Sequence, residues 1–264
     1  MTAILAIDIG NSHTQIGLFK DGKLSHSWRI RTDTKLTEDE IRFLFYEMLL
    51  DAEVKKSEIR GCILASVVPP LTHTISKSVY SLTGKRVIVV EPGLKTGIVI
   101  LMDNPKEVGA DRIVNAVAAS TKYPGGSIVV DLGTATTFDC ISPKKEYLGG
   151  AIAPGISISS EALFLKTAKL PRVEISKPLK CIGKNTVDSM QSGIFWGYVA
   201  LVDGMIEKLK EELDFKPKVI ATGGFSSLIA SESKSIEIVD NFLTLEGLYV
   251  LYEKNAEPLI QRQK

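Results

Sequence analysis

Apolar runs, alternation and turn residues divide the chain into two passages that open in the same way. Residues 4–8, 15–20 and 23–31 read as strands, with a turn at Asp21-Gly22. Thr37, followed three residues on by Glu40, predicts a capped helix running to about residue 53. A buried strand over 61–67 closes at Pro69-Pro70, and a helix over 71–82 and a strand over 86–90 follow. Residues 95–102 have no clear period, and the turn at Asp103-Asn104 predicts a helix over 105–120. The second passage repeats the opening with strands over 127–131, 136–142 and 147–153, then a loop through Pro154-Gly155 and a helix over 159–167. Residues 170–184 read as irregular, before a long helix over 186–213. Strand 217–221, a glycine turn at 223–224, strand 236–239 and a helix over 244–255 complete the pattern.

Short β-meanders followed by helices, twice over, predict an α/β fold made of a duplicated domain with mixed sheets. The expected division is 1–120 and 121–264, with the ligand site in the cleft between the copies. In the long helix, Gly193, Gly197, Ala200 and Gly204 share one face. An interior glycine costs about 1 kcal/mol against alanine, so this face implies the close approach of another backbone. That backbone could belong to the same chain or to a symmetry mate.

Composition narrows the function. Among 264 residues, 32 are Lys or Arg and 31 are Asp or Glu, a formal charge of +1, and aromatics make up 7%. Neither the charge nor the aromatic content gives reason to expect a nucleic-acid partner. The apolar runs are strand-length, so no membrane span is expected. The first ten residues lack a basic leader, and Cys62, Cys140 and Cys181 form no CxxC or zinc pattern. A cytoplasmic protein with reduced thiols is the expectation.

The chemistry concentrates in the two opening turns. Asp8-Ile9-Gly10-Asn11-Ser12-His13-Thr14 and Asp131-Leu132-Gly133-Thr134-Ala135-Thr136-Thr137 each end an apolar run and precede a second strand. Carboxylates hold a hydrated cation, glycines let backbone N–H groups approach an anion, and hydroxyls donate to phosphate oxygens. The first turn taken alone reads equally well as a good hairpin turn. Its repetition, and a third glycine turn at Ala221-Thr222-Gly223-Gly224-Phe225, favour a phosphate clamp. GxxxxGK(S/T), GxGxxG after a strand, GxSxG and HExxH are all absent. In the block Gly109-Ala110-Asp111-Arg112, an ionised Asp could accept a proton from an alcohol attacking phosphorus, and the Arg could orient a carboxylate or steady phosphate charge. The same pair could also be an ordinary ion pair on a helix surface. His13 lies within the first turn; His26 and His73 have no metal or triad partners nearby in sequence.

The order of the three turns resembles the acetate and sugar kinase, Hsp70 and actin superfamily, whose members bind ATP between two RNase H-like domains. Asp8-x-Gly-Asn-Ser12, Ala65-Ser-Val-Val-Pro69, Gly109-Ala-Asp-Arg112, Asp131-x-Gly-Thr-Ala-Thr136 and Gly149-Gly-Ala-Ile-x-Pro-Gly155 resemble, in order and spacing, the type III pantothenate kinases. The resemblance covers essentially the whole chain. It implies ATP-dependent phosphorylation of pantothenate to 4′-phosphopantothenate, the first step of coenzyme A synthesis. It implies that Asp8 through Gln15 and Thr134 contact ATP, with Asp8 helping to place Mg²⁺. Asp111 would be the general base, and Gly109, Ala110, Asp111 and Arg112 would contact pantothenate. Asp131 would ligate a monovalent cation, K⁺ or NH₄⁺. Thr186 would reach pantothenate from the partner subunit of a homodimer. Two positions depart from the family pattern: Ser12 stands where Thr is usual, and Leu101-Met102 where an aromatic residue often precedes the Asn-Pro pair. A non-catalytic regulatory or accessory protein and an ATP or polyphosphate hydrolase are the competing readings of the same clamp. Intact Asp111, Arg112 and Asp131 weigh against the first, and a requirement for a hydroxyl-bearing acceptor would separate the second.

Overall fold

The computed structural model describes residues 2–261, which form two compact units. The first runs to Gly97, takes in Asn104–Ala118, and includes the chain from Leu243 onward. Its sheet holds β1 (Ala3–Ile9), β2 (His13–Lys20), β3 (Lys23–Arg31), β4 (Ile59–Ser66) and β5 (Val87–Val89) in the order β3-β2-β1-β4-β5. β1 is antiparallel to β2 and parallel to β4, and every residue from Ala3 to Ile7 is buried. That is the near-continuous apolar run of a strand covered on both faces. α1 (Glu38–Asp51) and α2 (Pro69–Thr83) bury Ile41, Phe45, Leu71 and Ile75 in the sheet's core. The capping box predicted for α1 is present: Glu40 N–H donates to Thr37 Oγ at 3.3 Å, and Thr37 N–H donates to Glu40 Oε2 at 2.8 Å. The Thr37 N–H and the Thr37 hydroxyl, both donating to Oε2 at 2.8 Å, hold the Glu40 carboxyl below its usual range.

The second unit comprises Ile98–Asp103 and Ala119–Phe242. Its sheet holds β6 (Val99–Ile100), β7 (Ser127–Leu132), β8 (Ala135–Ile141), β9 (Glu146–Pro154), β10 (Lys218–Thr222) and β11 (Ile238–Val239) in the order β11-β10-β7-β8-β9-β6. With β6 set aside, this is the first sheet again. β7 takes the place of β1, antiparallel to β8 and parallel to β10. α4 (Ile156–Lys166), α5 (Thr186–Glu212) and α6 (Ser226–Ala230) complete the unit, with Phe195, Val202 and Ile206 of α5 in its core.

α3 (Ala110–Lys122) begins in the first unit and ends in the second. The helix expected over 105–120 is broken: a single 3₁₀ turn, Pro105–Glu107, is capped by Asn104 Oδ1 accepting Lys106 N–H at 3.3 Å. Val108 is extended, and only Ala110 starts the α-helix. The aperiodic stretch 95–102 contains only the two-residue edge strand β6. α7 (Leu243–Gln261) packs within the first unit, where Thr244 Oγ donates to buried Asn115 Oδ1 of α3 at 2.7 Å and Tyr249 stacks on Phe19.

On α5, a Cβ built at Gly193, Gly197 or Gly204 meets no atom within 4 Å among the described residues. Packing within the chain therefore does not account for that glycine face.

Candidate active site

The first turn joins β1 to β2. Asp8 lies opposite Gln15 and Ile9 opposite Thr14, and the hairpin closes through Gly10 N–H donating to His13 O at 3.1 Å. Strand β3 latches the turn from its side. Thr32 N–H donates to Ser12 O at 3.0 Å, and Thr32 Oγ donates to Gly10 O at 2.7 Å. A hydroxyl has one proton, so Thr14 is the donor in its 3.0 Å contact with Thr32 Oγ. Asn11, Ser12 and His13 are exposed above this closed network. Arg29 donates to His13 Nδ1 at 3.0 Å, which leaves the ring's own proton on Nε2. Partial burial and the Arg29 charge hold His13 below its ordinary value of 6.5.

The second turn joins β7 to β8 and is one residue tighter. Gly133 N–H donates to Ala135 O at 3.1 Å, and Leu132 lies opposite Thr136. It is shaped by elements distant in sequence. Gly223, after β10, sits at φ +90°, where a Cβ would come within 2.5 Å of Asp131 Oδ1 and 2.7 Å of the Leu132 carbonyl carbon. Only glycine combines that left-handed backbone with that approach. Gly155, after β9, presses on the turn just as closely, its Cβ position lying 2.0 Å from Thr134 O. The glycine turn read from the sequence is thus a wall of the second turn, which the sequence did not reveal. Thr136 is fully buried with no hydrogen-bond partner for its hydroxyl.

Asp131 lies opposite Thr137 across the β7–β8 ladder. Two residues along β8, fully buried Asp139 accepts hydroxyl protons from Tyr147 at 2.6 Å and Thr137 at 3.3 Å. Sequence analysis passed over Asp139 and Tyr147, because a carboxylate inside an apolar strand leaves no periodic trace.

Asp111 and Arg112 stand half-buried in the first turn of α3, and Asp111 Oδ1 accepts Arg112 N–H at 2.9 Å. Thr186 is exposed at the first position of α5, beside the N-cap Asn185, whose Oδ1 accepts Asp188 N–H at 2.9 Å. An open depression lined by Leu170, Lys184, Asn185, Thr186, Ser189 and Met190 surrounds it. Met102 packs against Gly149 in the second unit, its sulfur 3.1 Å from a built Cβ, while Leu101 is exposed.

No group of three or more His, Cys, Asp or Glu side chains poised for a metal occurs among the described residues. At each turn one carboxylate, Asp8 or Asp131, stands in a stretch rich in hydroxyl and carbonyl oxygens, the donor types that hard cations take.

The family model of type III pantothenate kinases matches residues 4–208. A type III pantothenate kinase of Citrifermentans bemidjiense is 52% identical over 252 residues, covering 96% of this chain and 99% of its own. One from Halalkalibacterium halodurans is 49% identical over 253 residues, covering 96% and 100%. Among solved structures, component A of the (R)-2-hydroxyglutaryl-CoA dehydratase of Acidaminococcus fermentans superposes with a TM-score of 0.58 at 14% identity, covering 97% of this chain and all of its own. At that identity the likeness concerns the fold alone, the duplicated RNase H-like architecture.

Proposed function

The chain belongs to the type III pantothenate kinases, which phosphorylate pantothenate in coenzyme A biosynthesis, and we propose that its two turns divide the work of that reaction. The first turn, Asp8 through Gln15, takes the ATP phosphates at its exposed residues Asn11 and Ser12, with Asp8 placing Mg²⁺. Ser12 keeps the hydroxyl that the family's usual threonine supplies. The second turn binds a monovalent cation at Asp131 and contacts ATP through Thr134. Bound Mg²⁺ neutralises charge on the transferring phosphate.

Asp111 takes the proton of the pantothenate 4′-hydroxyl as that oxygen forms its bond to the γ-phosphorus and the bond to the ADP oxygen breaks. Gly109, Ala110 and Arg112 hold the acceptor. The observation that carries this reading is the placement of Asp111 at the N-terminus of α3, a half-buried carboxylate in the block shared with the family. Asp111→Asn is expected to bind a non-hydrolysable ATP analogue normally and to release ADP at least 100-fold more slowly, the scale of a lost general base. Near-normal pantothenate-dependent ADP release would remove Asp111 from that role.

We further infer a homodimer in which α5 meets its counterpart along Gly193, Gly197, Ala200 and Gly204, bringing Thr186 to the partner's pantothenate. The open space over these glycines supports it. Buried, reduced Cys62 and Cys140, the Cys62 thiol pushed up by burial, agree with a cytoplasmic enzyme. No described helix is long and apolar enough to cross a membrane.

A further inference from the structure

We propose that Thr137 is a further oxygen lining the cation site of the second turn, and that buried Asp139 is the residue that positions it. This rests on the assignment of the monovalent cation to Asp131. Asp131 and Thr137 are cross-strand partners, so their side chains leave the same face of the sheet with Cβ atoms about 5 Å apart. Asp139, two residues beyond Thr137 on β8, projects from that face as well.

Each oxygen of the Asp139 carboxylate accepts one hydroxyl, Oδ1 from Tyr147 and Oδ2 from Thr137. A threonine hydroxyl has a single proton. With that proton committed to Asp139, Thr137 Oγ offers its other neighbours lone pairs only. The Asp131 carboxylate and that lone-pair-bearing oxygen therefore stand on one face of adjacent strands. Hard oxygen donors of this kind suit an unpolarisable cation. Glycine at 223 packs directly against the Asp131 carboxylate, since a Cβ there would lie 2.5 Å from Oδ1.

The first unit supplies an internal control. Asp8 faces Gln15, whose amide carries two donor hydrogens, and the residue two positions further along β2 is Gly17. The carboxylate that orders a hydroxyl is therefore a property of the second turn alone, the turn to which the monovalent ion is assigned.

The test uses the full chain with Mg²⁺ and a non-hydrolysable ATP analogue. K⁺ is titrated at constant ionic strength against tetramethylammonium, and the half-saturating K⁺ is read from the melting temperature with the analogue and, separately, from steady-state activation with ATP and pantothenate. Thr137→Val is expected to raise that concentration about tenfold, within the range for losing a residue that supports a metal site. Thr137→Ser keeps the hydroxyl and is expected to stay close to the parent. Asp139→Asn is expected to behave like Thr137→Val, because an Asn amide facing Thr137 would turn the hydroxyl proton outward. A folded Thr137→Val with the parent's half-saturating K⁺ overturns the proposal. Asp131→Ala is run alongside: if it still responds to K⁺, the cation assignment fails and the proposal with it. If Asp131→Ala is insensitive while Thr137→Val is unchanged, only the role given to Thr137 and Asp139 fails.

Discussion

In the first turn the threonine at the start of the second strand, Thr14, donates to Thr32, which in turn donates to Gly10. In the second turn the threonine at the same place, Thr136, is equally buried and its hydroxyl has no protein partner. Both turns follow the central strand of sheets with the same order, and both carry Asp, Gly and hydroxyl residues. The first is closed by its own meander, β1 to β3. The second takes its shape from Gly155 and Gly223, brought in from beyond β9 and β10. A turn that satisfies its own hydroxyls can present a fixed row of donors. A turn walled by glycines leaves the buried Thr136 hydroxyl without a protein partner. One architecture thus appears twice, with its turn held in two different ways.

The largest effect separating the turns is expected from their glycines. Gly223→Val forces a branched side chain into left-handed backbone and onto Asp131 and Leu132. It is expected to cost about 2 kcal/mol or more in stability. Displacing the second turn in this way should slow turnover by about 100-fold. Gly10→Ala meets one carbonyl at 3.1 Å, with backbone that is not left-handed, and should cost less than about 1 kcal/mol. Chemical denaturation and ADP release measure both. Equal losses would erase the distinction between a self-held and a braced turn.

Smaller effects are expected from the paired threonines. Thr14→Val removes the donor to Thr32 and should cost about 1 kcal/mol. Thr136→Val replaces an unsatisfied buried hydroxyl by a methyl group and should be neutral or stabilising, within about 1 kcal/mol. A destabilised Thr136→Val would mean that this hydroxyl has a partner that sustains the fold.

The smallest effect is expected from pH. His13 titrates below 6.5 when folded, so the unfolded chain binds more protons as pH falls through 6.5. Stability from this group is complete above 6.5 and declines below it until the folded ring also protonates. His13→Gln should flatten that part of the stability profile without changing the response to K⁺. An unchanged slope would assign the pH dependence to other groups.

Much of this was legible in the sequence. The strands flanking both turns show as apolar runs, the α1 cap as Thr37 with Glu40, and the site block as Gly109 to Arg112. What stayed hidden depends on long-range pairing. Gly223 reads only as a third glycine turn until β10 pairs in parallel with β7 and sets it against Asp131. Thr32 lies just past the strand read over 23–31, and its tie to Gly10 appears only when β3 folds back beside the first turn. The break at Val108 is a matter of one extended residue within a helix-compatible pattern. β6 is too short to show a period.

The central claim is that the first turn holds nucleotide and the second holds the ion that tunes it. Binding of a non-hydrolysable ATP analogue, with Mg²⁺ and in K⁺ or Na⁺ buffer, tests it most directly in the parent, Asp8→Ala and Asp131→Ala. The parent is expected to bind more tightly in K⁺. Asp8→Ala should weaken binding in both buffers and keep the ratio between them, whereas Asp131→Ala should bring the two affinities together. A K⁺ preference that survives in Asp131→Ala, or disappears in Asp8→Ala, would contradict the account.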